Sequence, residues 1–326
     1  MGNPLAQSRR NDRAALSGSK SQSEPLYPLT IAYFSVLHLL PFGAFLSGVT
    51  RASVVACFVL YIVRIFFITA GYHCYFSHRA FKTSRIFQWI LAIGAQTSGQ
   101  GSVVKWAAMH HYHHANSDSQ TDLHSPKQRG FWYSHMGWLL NQRYESMICS
   151  YPKYLTKFPE LMWLNKYYYL PTIVLAAVTW AILGWPGLFI GYGLSTVLTL
   201  HATFSVNSLA HLFGTRRFDT PDDSRNNWFV SLVMLGGGWH NNHHRYPRSA
   251  RQGLCWGEID ITYGFLTLLA YSHAIWNLQT VVLPQNREHR IAGRWLTPAM
   301  NSSTCAAGRD GNSEKFQQSA VRSRVR

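Results

Sequence analysis

Four apolar stretches, Leu29–Val49, Ala52–Tyr72, Tyr167–Trp185 and Gly187–Val206, constrain this chain more than any other feature. Each is close to the ~20 residues that cross a bilayer as a helix. In hydrocarbon every backbone N–H and C=O must be paired within its own segment, so the stretches read as helices. They form two pairs with very short connections, around Thr50–Arg51 and around Pro186. The alternative, a soluble fold that buries two such tandem pairs, is rare. Arg64 lies in the second stretch and has to face the protein interior or snorkel toward the headgroups. Of the 30 Lys and Arg residues, all but Arg51 and Arg64 lie outside the stretches and their short connections. The positive-inside rule then puts both termini and both large extramembrane regions in the cytoplasm. Ile86–Gln96 and Ile261–Val282 are moderately apolar and are not counted as spans. The second reads as an amphipathic helix on the membrane surface or over a site.

Composition supports the lipid reading. Charged residues are 13% of the chain, about half the usual share. A formal charge of +16 raises the question of nucleic acid, but nucleic-acid binders carry an exposed basic stripe on a soluble fold. Here the basic residues flank apolar segments, which suits an anionic membrane face, so no nucleic-acid partner is expected. Cys57, Cys74, Cys149, Cys255 and Cys305 form no C-x-x-C pair. A thiolate metal site is therefore not expected, and a reducing compartment is. Residues 1–26 and 296–326 read as disordered tails, polar and rich in Ser and Arg. No cleavable signal is expected, because the first apolar run starts only near Leu29. The intervening 27–295 reads as one membrane domain.

The chemistry-bearing residues are histidines, of which there are 16. His73 and His78 sit where the second stretch ends. His110, His113 and His114 form H-x-x-H-H, and His240, His243 and His244 repeat it. His211 follows Asn207 by one helical turn beyond the fourth stretch. On a helix, positions i, i+3 and i+4 share a face, so each trio is expected to aim its imidazoles at one place. In the expected topology all these groups leave the membrane on the same side. His38, His273 and His289 read as ordinary surface or core residues, and His111 points away from its neighbours' face. His124, His135 and His201 read as supporting or structural. One zinc takes three or four protein ligands, too few for nine imidazoles. Two redox metals with four or five nitrogens each absorb them. Carboxylates are scarce beside the clusters, unlike the Glu and Glu-x-x-His sites of soluble di-iron bundles.

The chain resembles the membrane fatty acyl desaturases of the stearoyl-CoA desaturase type, particularly their bacterial members. The resemblance runs from about residue 28 to 280. It is carried by Ile68-Thr-Ala-Gly-Tyr-His73-Cys-Tyr-Phe-Ser-His78-Arg79, His110-His-Tyr-His-His114, Gly130-Phe-Trp-Tyr-Ser-His-Met-Gly-Trp138, Asn207-Ser-Leu-Ala-His211, Asp222-Asp-Ser-Arg-Asn-Asn227 and Gly238-Trp-His-Asn-Asn-His-His244-Arg-Tyr-Pro247. It implies an all-α integral membrane protein, four transmembrane helices under a helical cytosolic cap that holds a di-iron site. The nine ligands would be His73, His78, His110, His113, His114, His211, His240, His243 and His244, with Asn207 reaching one iron through water. Asp122, His124, His135 and Trp138 would stand behind them.

The implied reaction is O2-dependent insertion of a cis double bond, at the delta-9 position, into a long acyl chain held as a CoA, lipid or carrier-protein ester. Electrons would come from a separate ferredoxin-like or b-type cytochrome donor with an NAD(P)H-dependent reductase, since neither tail carries an electron-carrier motif. The bacterial likeness favours an inner membrane over the endoplasmic reticulum.

Several positions depart from the family pattern. Cys74 and His111 stand where arginines are usual. Gly236-Gly237-Gly238 replaces an acidic Gly-Glu-Gly, which removes a supporting carboxylate. Ala108-Met109 replaces a charged pair, and Gln142-Arg143 a basic one, leaving fewer contacts for CoA phosphates. Lys105, Arg143, Arg216, Arg217, Arg245 and Arg248 are the candidates for an anionic head group. Two rival functions remain: a membrane di-iron hydroxylase of alkyl or acyl chains, and a non-enzymatic metal transporter or sensor. A transporter places its ligands near the bilayer midplane, whereas these lie at or beyond the span ends.

Overall fold

The structure is a computed structural model and describes residues 26–141 and 150–281. The expected tails, apart from Leu26, lie outside the described residues, as do Arg143 and His289.

Pro28 opens the first helix, Pro28–Leu39, at a position where the missing N–H costs nothing. A 3-10 turn, Leu40–Gly43, and a short helix, Ala44–Ser47, carry the apolar run onward. Gly48 reverses the chain in the left-handed region, φ 74°. Thr50 then starts the helix Arg51–Phe66 with a reciprocal cap. Its Oγ1 accepts from Ser53 N, and Ser53 Oγ accepts from Thr50 N, both at 3.1 Å. This helix runs directly into a π-helical segment, Phe67–Ser77.

Leu170–Leu212 is helical over 43 residues. A straight helix of that length would be about 65 Å long, roughly twice the hydrocarbon thickness. It is not straight. Gly184 breaks it at φ 65°, ψ −159°, and Thr172 Oγ1 lies 2.7 Å from Tyr192 Oη. The two limbs therefore run side by side, and the reversal expected around Pro186 falls at Gly184. Among the described residues three helical runs are long and apolar enough to cross a membrane: Pro28–Ser47, Arg51–Ser77 and Leu170–Leu212. Arg64 faces the interior and is 1% exposed. Its Nε donates to Leu60 O (3.1 Å), Nη1 to Thr196 Oγ1 (2.7 Å) and Nη2 to Ser195 Oγ.

The helices Arg85–Gln96 and Val103–Asn116 pack on the π-helical segment. Ile68, Phe76, Leu91 and Val104 are fully buried in this core. The helix expected over Ile261–Val282 stops at Tyr271. His273 and Asn277 take left-handed φ values of 60° and 52°. Between them Ile275–Trp276 pairs antiparallel with Lys82–Thr83, so the backbone is satisfied by a strand partner instead of a further helical turn.

Candidate metal centre

The spacing of His73 and His78 fits the element that carries them. Five residues apart on an α-helix, two side chains diverge by about 140°. The π-helical turn bonds i to i+5, here His78 N to His73 O at 3.1 Å, and brings the fifth residue back over the first. The helix Val103–Asn116 carries His110, His113 and His114 and is capped by Ser102, whose Oγ accepts from Lys105 N at 3.0 Å. His211 lies in the last turn of Ser195–Leu212. The third trio sits on a six-residue helix, His240–Arg245, too short to hold itself. Its buried asparagines anchor it. Asn241 Oδ1 accepts from Arg217 N (2.8 Å) and Phe218 N (2.7 Å). Asn242 Nδ2 donates to Gln252 O (2.8 Å), and its Oδ1 accepts from Asn226 Nδ2 (2.8 Å). Gly238 feeds the chain into this helix so close to Ser231 N that any Cβ would overlap it.

The nine imidazoles gather in two groups. His73, His78, His110, His114 and His243 form one; His113, His211, His240 and His244 form the other, and each could hold a metal ion. The trios do not each aim at one place, as the spacing suggested. In each trio the i, i+4 pair (His110 with His114, His240 with His244) points to one group and the i+3 member (His113, His243) to the other. Successive residues on a helix diverge by about 100°, so one helix face can straddle two adjacent centres.

The nitrogens lie close enough together to share a metal ion. Nε2–Nε2 separations are 3.0 Å for His73–His243, 2.7 Å for His78–His110, and 3.0 Å for both His110–His114 and His114–His243. An imidazole Nε2 offers one N–H or one lone pair, yet the Nε2 atoms of His110, His114 and His243 each face two others. A cation between them resolves this. Metal–nitrogen bonds of about 2.1 Å set neighbouring ligand nitrogens about 3.0–3.4 Å apart, close to these separations.

Carboxylates behind the second group fix its tautomers. Asp122 Oδ1 accepts from His113 Nδ1 (2.9 Å), Asp118 Oδ2 from His211 Nδ1 (2.8 Å) and Asp222 Oδ2 from His244 Nδ1 (2.7 Å). In the neutral form each of these imidazoles then presents a bare Nε2, and that of His244 is buried with no hydrogen-bond partner. Burial works against all three carboxylates, yet their histidine partners hold them below the usual range, Asp118 at about 2. Burial first, then the neighbouring rings, pushes His110, His114, His240 and His243 well below the ordinary imidazole value, which keeps them neutral as ligands must be. Carboxylates are therefore not scarce here. The supporting group missing at Gly236-Gly237-Gly238 has counterparts in Asp118 and Asp222. Their signal was the D-x-x-x-D spacing and the Asp222-Asp-Ser string.

The other candidates are dispersed. His111 turns away, its Nε2 2.7 Å from Ser77 O. The His124 ring lies tilted 4.3 Å from His113, with Trp138 5.0 Å behind it, and it forms a further small group with His113 and Asp122. His135 lies in a separate chain: His38 Nε2 to His201 Nε2 (3.0 Å), His201 Nδ1 to His135 Nε2 (2.9 Å), His135 Nδ1 to Ser208 Oγ (2.9 Å). His38 Nδ1 donates to Phe34 O at 2.7 Å. This chain ties the helix Pro28–Leu39 to Phe131–His135 and Ser195–Leu212. Arg217 is paired with Glu258 at 2.6 Å, and Arg216 Nη2 donates to Thr220 O at 2.7 Å.

Two cavities flank the centres. The larger, about 450 Å³, is lined at its inner end by Trp106, His110, Thr203 and Asn207. The smaller, about 60 Å³, shares those four residues and continues past Ile68, Val206 and Gly237. Lys105 lines the larger; Arg216, Arg217, Arg245 and Arg248 line neither.

Residues 50–282 match the fatty acid desaturase family. The chain belongs to that family. It is 36% identical over 260 residues to the sn-2 palmitoyl-lipid 9-desaturase of Nostoc sp. (strain 36), covering 78% of this chain and 91% of that one. It is 35% identical over 240 residues to the sn-1 stearoyl-lipid 9-desaturase of Anabaena variabilis, covering 73% and 88%. To the acyl-CoA C20 Delta5-desaturase of Anemone leveillei it is 35% identical over 221 residues, covering 66% and 70%. The chain is thus a fatty acyl desaturase, an oxidoreductase, and its long apolar helices fit a membrane protein.

Proposed function

We propose that this desaturase inserts a cis double bond at the delta-9 position of a long saturated acyl chain, using two iron ions and O2. The observation that carries the reading is the meeting of the two cavities at Trp106, His110, Thr203 and Asn207. A chain threaded through both passes the imidazole groups at an interior methylene pair, not at its end. The balance is one alkyl CH2–CH2, O2, two electrons and two protons in, one alkene and two waters out. His73, His78, His110, His114 and His243 would hold one iron and His113, His211, His240 and His244 the other, with Asn207 reaching one of them through water. The irons supply the activation of O2 that removal of hydrogen from an unactivated chain requires. The protein's own part is positional. Trp106, stacked on His110 at 4.8 Å, and Thr203 confine the methylenes, and an acyl chain that fills the cavity displaces its water.

The two limbs of Leu170–Leu212 each cross the bilayer, making four spans in a domain of 27–295 between two tails. The metal centres and both termini face the cytoplasm, in a bacterial inner membrane. Electrons come from a ferredoxin-like or b-type cytochrome donor served by an NAD(P)H-dependent reductase. The test is gas chromatography–mass spectrometry of total fatty acids from aerated cells expressing the chain. Monounsaturated acids whose dimethyl disulfide adducts cleave at carbon 9 are expected. Hydroxy acids without an alkene would establish the hydroxylase instead.

A further inference from the structure

The two histidine groups differ in what stands behind them. In the four-histidine group three rings each donate an Nδ1–H to an aspartate. His113 donates to Asp122 (2.9 Å), His211 to Asp118 (2.8 Å) and His244 to Asp222 (2.7 Å). The three carboxylates are at most 7% exposed, so water and salt screen them little. Each is also held by neutral donors: Asp122 Oδ2 accepts from Asp118 N (2.7 Å), Asp118 Oδ1 from Ser125 Oγ (2.6 Å) and Asp222 Oδ1 from Ser224 N (3.1 Å). Three negative charges therefore sit one imidazole away from this centre.

The five-histidine group has no such backing. Among the described residues no carboxylate bonds to His73, His78, His110, His114 or His243. His73 Nδ1 meets the side-chain amide of Gln252 at 3.3 Å, a neutral group whichever way round it lies. His243 Nδ1 is buried with no partner.

A carboxylate on the outer nitrogen of a ligating imidazole makes the ring a stronger donor to the metal. A buried negative charge also favours the higher charge on a nearby cation. Both effects favour Fe3+ over Fe2+, and both fall on the four-histidine centre. The fifth imidazole of the other centre adds one neutral donor, which does not match three charges.

We infer that Asp118, Asp122 and Asp222 are positioning residues that give the two centres unequal reduction potentials. The five-histidine centre takes the first electron from a one-electron donor, Fe3+ to Fe2+, and the four-histidine centre takes the second. This rests on the two-iron reading and sets the order of electron entry into the same site.

The experiment poises the purified protein, reconstituted with isotopically enriched iron, at stepped potentials and reads the ferric and ferrous fractions by Mössbauer spectroscopy. Two one-electron steps are expected, with a mixed-valence state between them. Asp222→Asn should raise the lower potential more than the upper. The comproportionation constant of the mixed-valence state then falls about tenfold, a narrowing of about 59 mV, and Asp222→Glu restores it. Gln252→Glu places a carboxylate behind His73 and should lower the upper potential, a readout that stands even where Asp222→Asn loses iron. Three results from two-iron protein overturn the inference and leave the metal site standing: the opposite assignment of either shift, no shift in either variant, or reduction of the intact protein in one two-electron step. One iron per intact chain contradicts the two-iron reading itself.

Discussion

His113 and His114 are adjacent in the chain, yet their imidazoles belong to different groups, His113 with His211, His240 and His244, and His114 with His73, His78, His110 and His243. The same division separates His243 from His244. Each H-x-x-H-H string is thus a strut between two centres, and losing one string damages both.

The carboxylates behind the second group predict a graded effect. Asp222→Asn keeps the shape but removes the charge that holds His244 as an Nδ1–H donor. Metal affinity should fall about 10–100-fold, measured as iron release to a chelator. Asp223→Asn is the control, since its carboxylate meets Lys127 at the surface, 2.7 Å away. Equal iron retention in both variants would contradict the role given to Asp222.

His111 should be separable from its neighbours. His111→Ala removes the 2.7 Å bond to Ser77 O and should cost about 1 kcal/mol of stability, read as a small drop in melting temperature. Iron content should be unchanged, and loss of iron would show that His111 belongs to the centre.

Gly238 sets the entry into the third trio. In Gly238→Ala the new methyl overlaps Ser231 N and nearby backbone, which has no flexible side chain to yield. A cost of about 1–3 kcal/mol or more is expected, with displacement of His240 and loss of iron. Normal yield and full iron would mean that this approach is not tight.

Arg64 tests how a buried charge without a carboxylate is tolerated. Its acceptors Thr196 and Ser195 already donate to Tyr192 O (2.6 Å) and Gly191 O. Arg64→Met therefore strands no hydroxyl, and a buried charge is often replaceable by an apolar side chain of similar volume. Stability should change by less than about 1 kcal/mol. Collapse of the fold would assign the charge itself a structural role.

The long apolar helices and the gathering of the nine histidines were legible because each depends on short-range pattern: runs of apolar residues, and i, i+3, i+4 spacing. Three things were not. The π-helical turn under His73 and His78 is indistinguishable from α-helix in the hydropathy of Phe67–Ser77. Asp118 and Asp222 support histidines 93 and 22 residues away, a relationship that only tertiary packing creates. The end of the last helix at Tyr271 depends on a strand partner, Lys82–Thr83, from the far side of the sequence. The arginine candidates looked plausible from charge alone, but Arg217 is held by Glu258 and Asn242 away from either cavity.

The most direct test of the two-centre account is the metal content of the purified protein. Two irons per chain are expected in the intact protein. Alanine at His73 should empty the five-histidine centre first, and alanine at His211 the four-histidine centre first, leaving in each about one iron with a distinct Mössbauer signature. A single iron per intact chain, or the same residual signal from both variants, would contradict it.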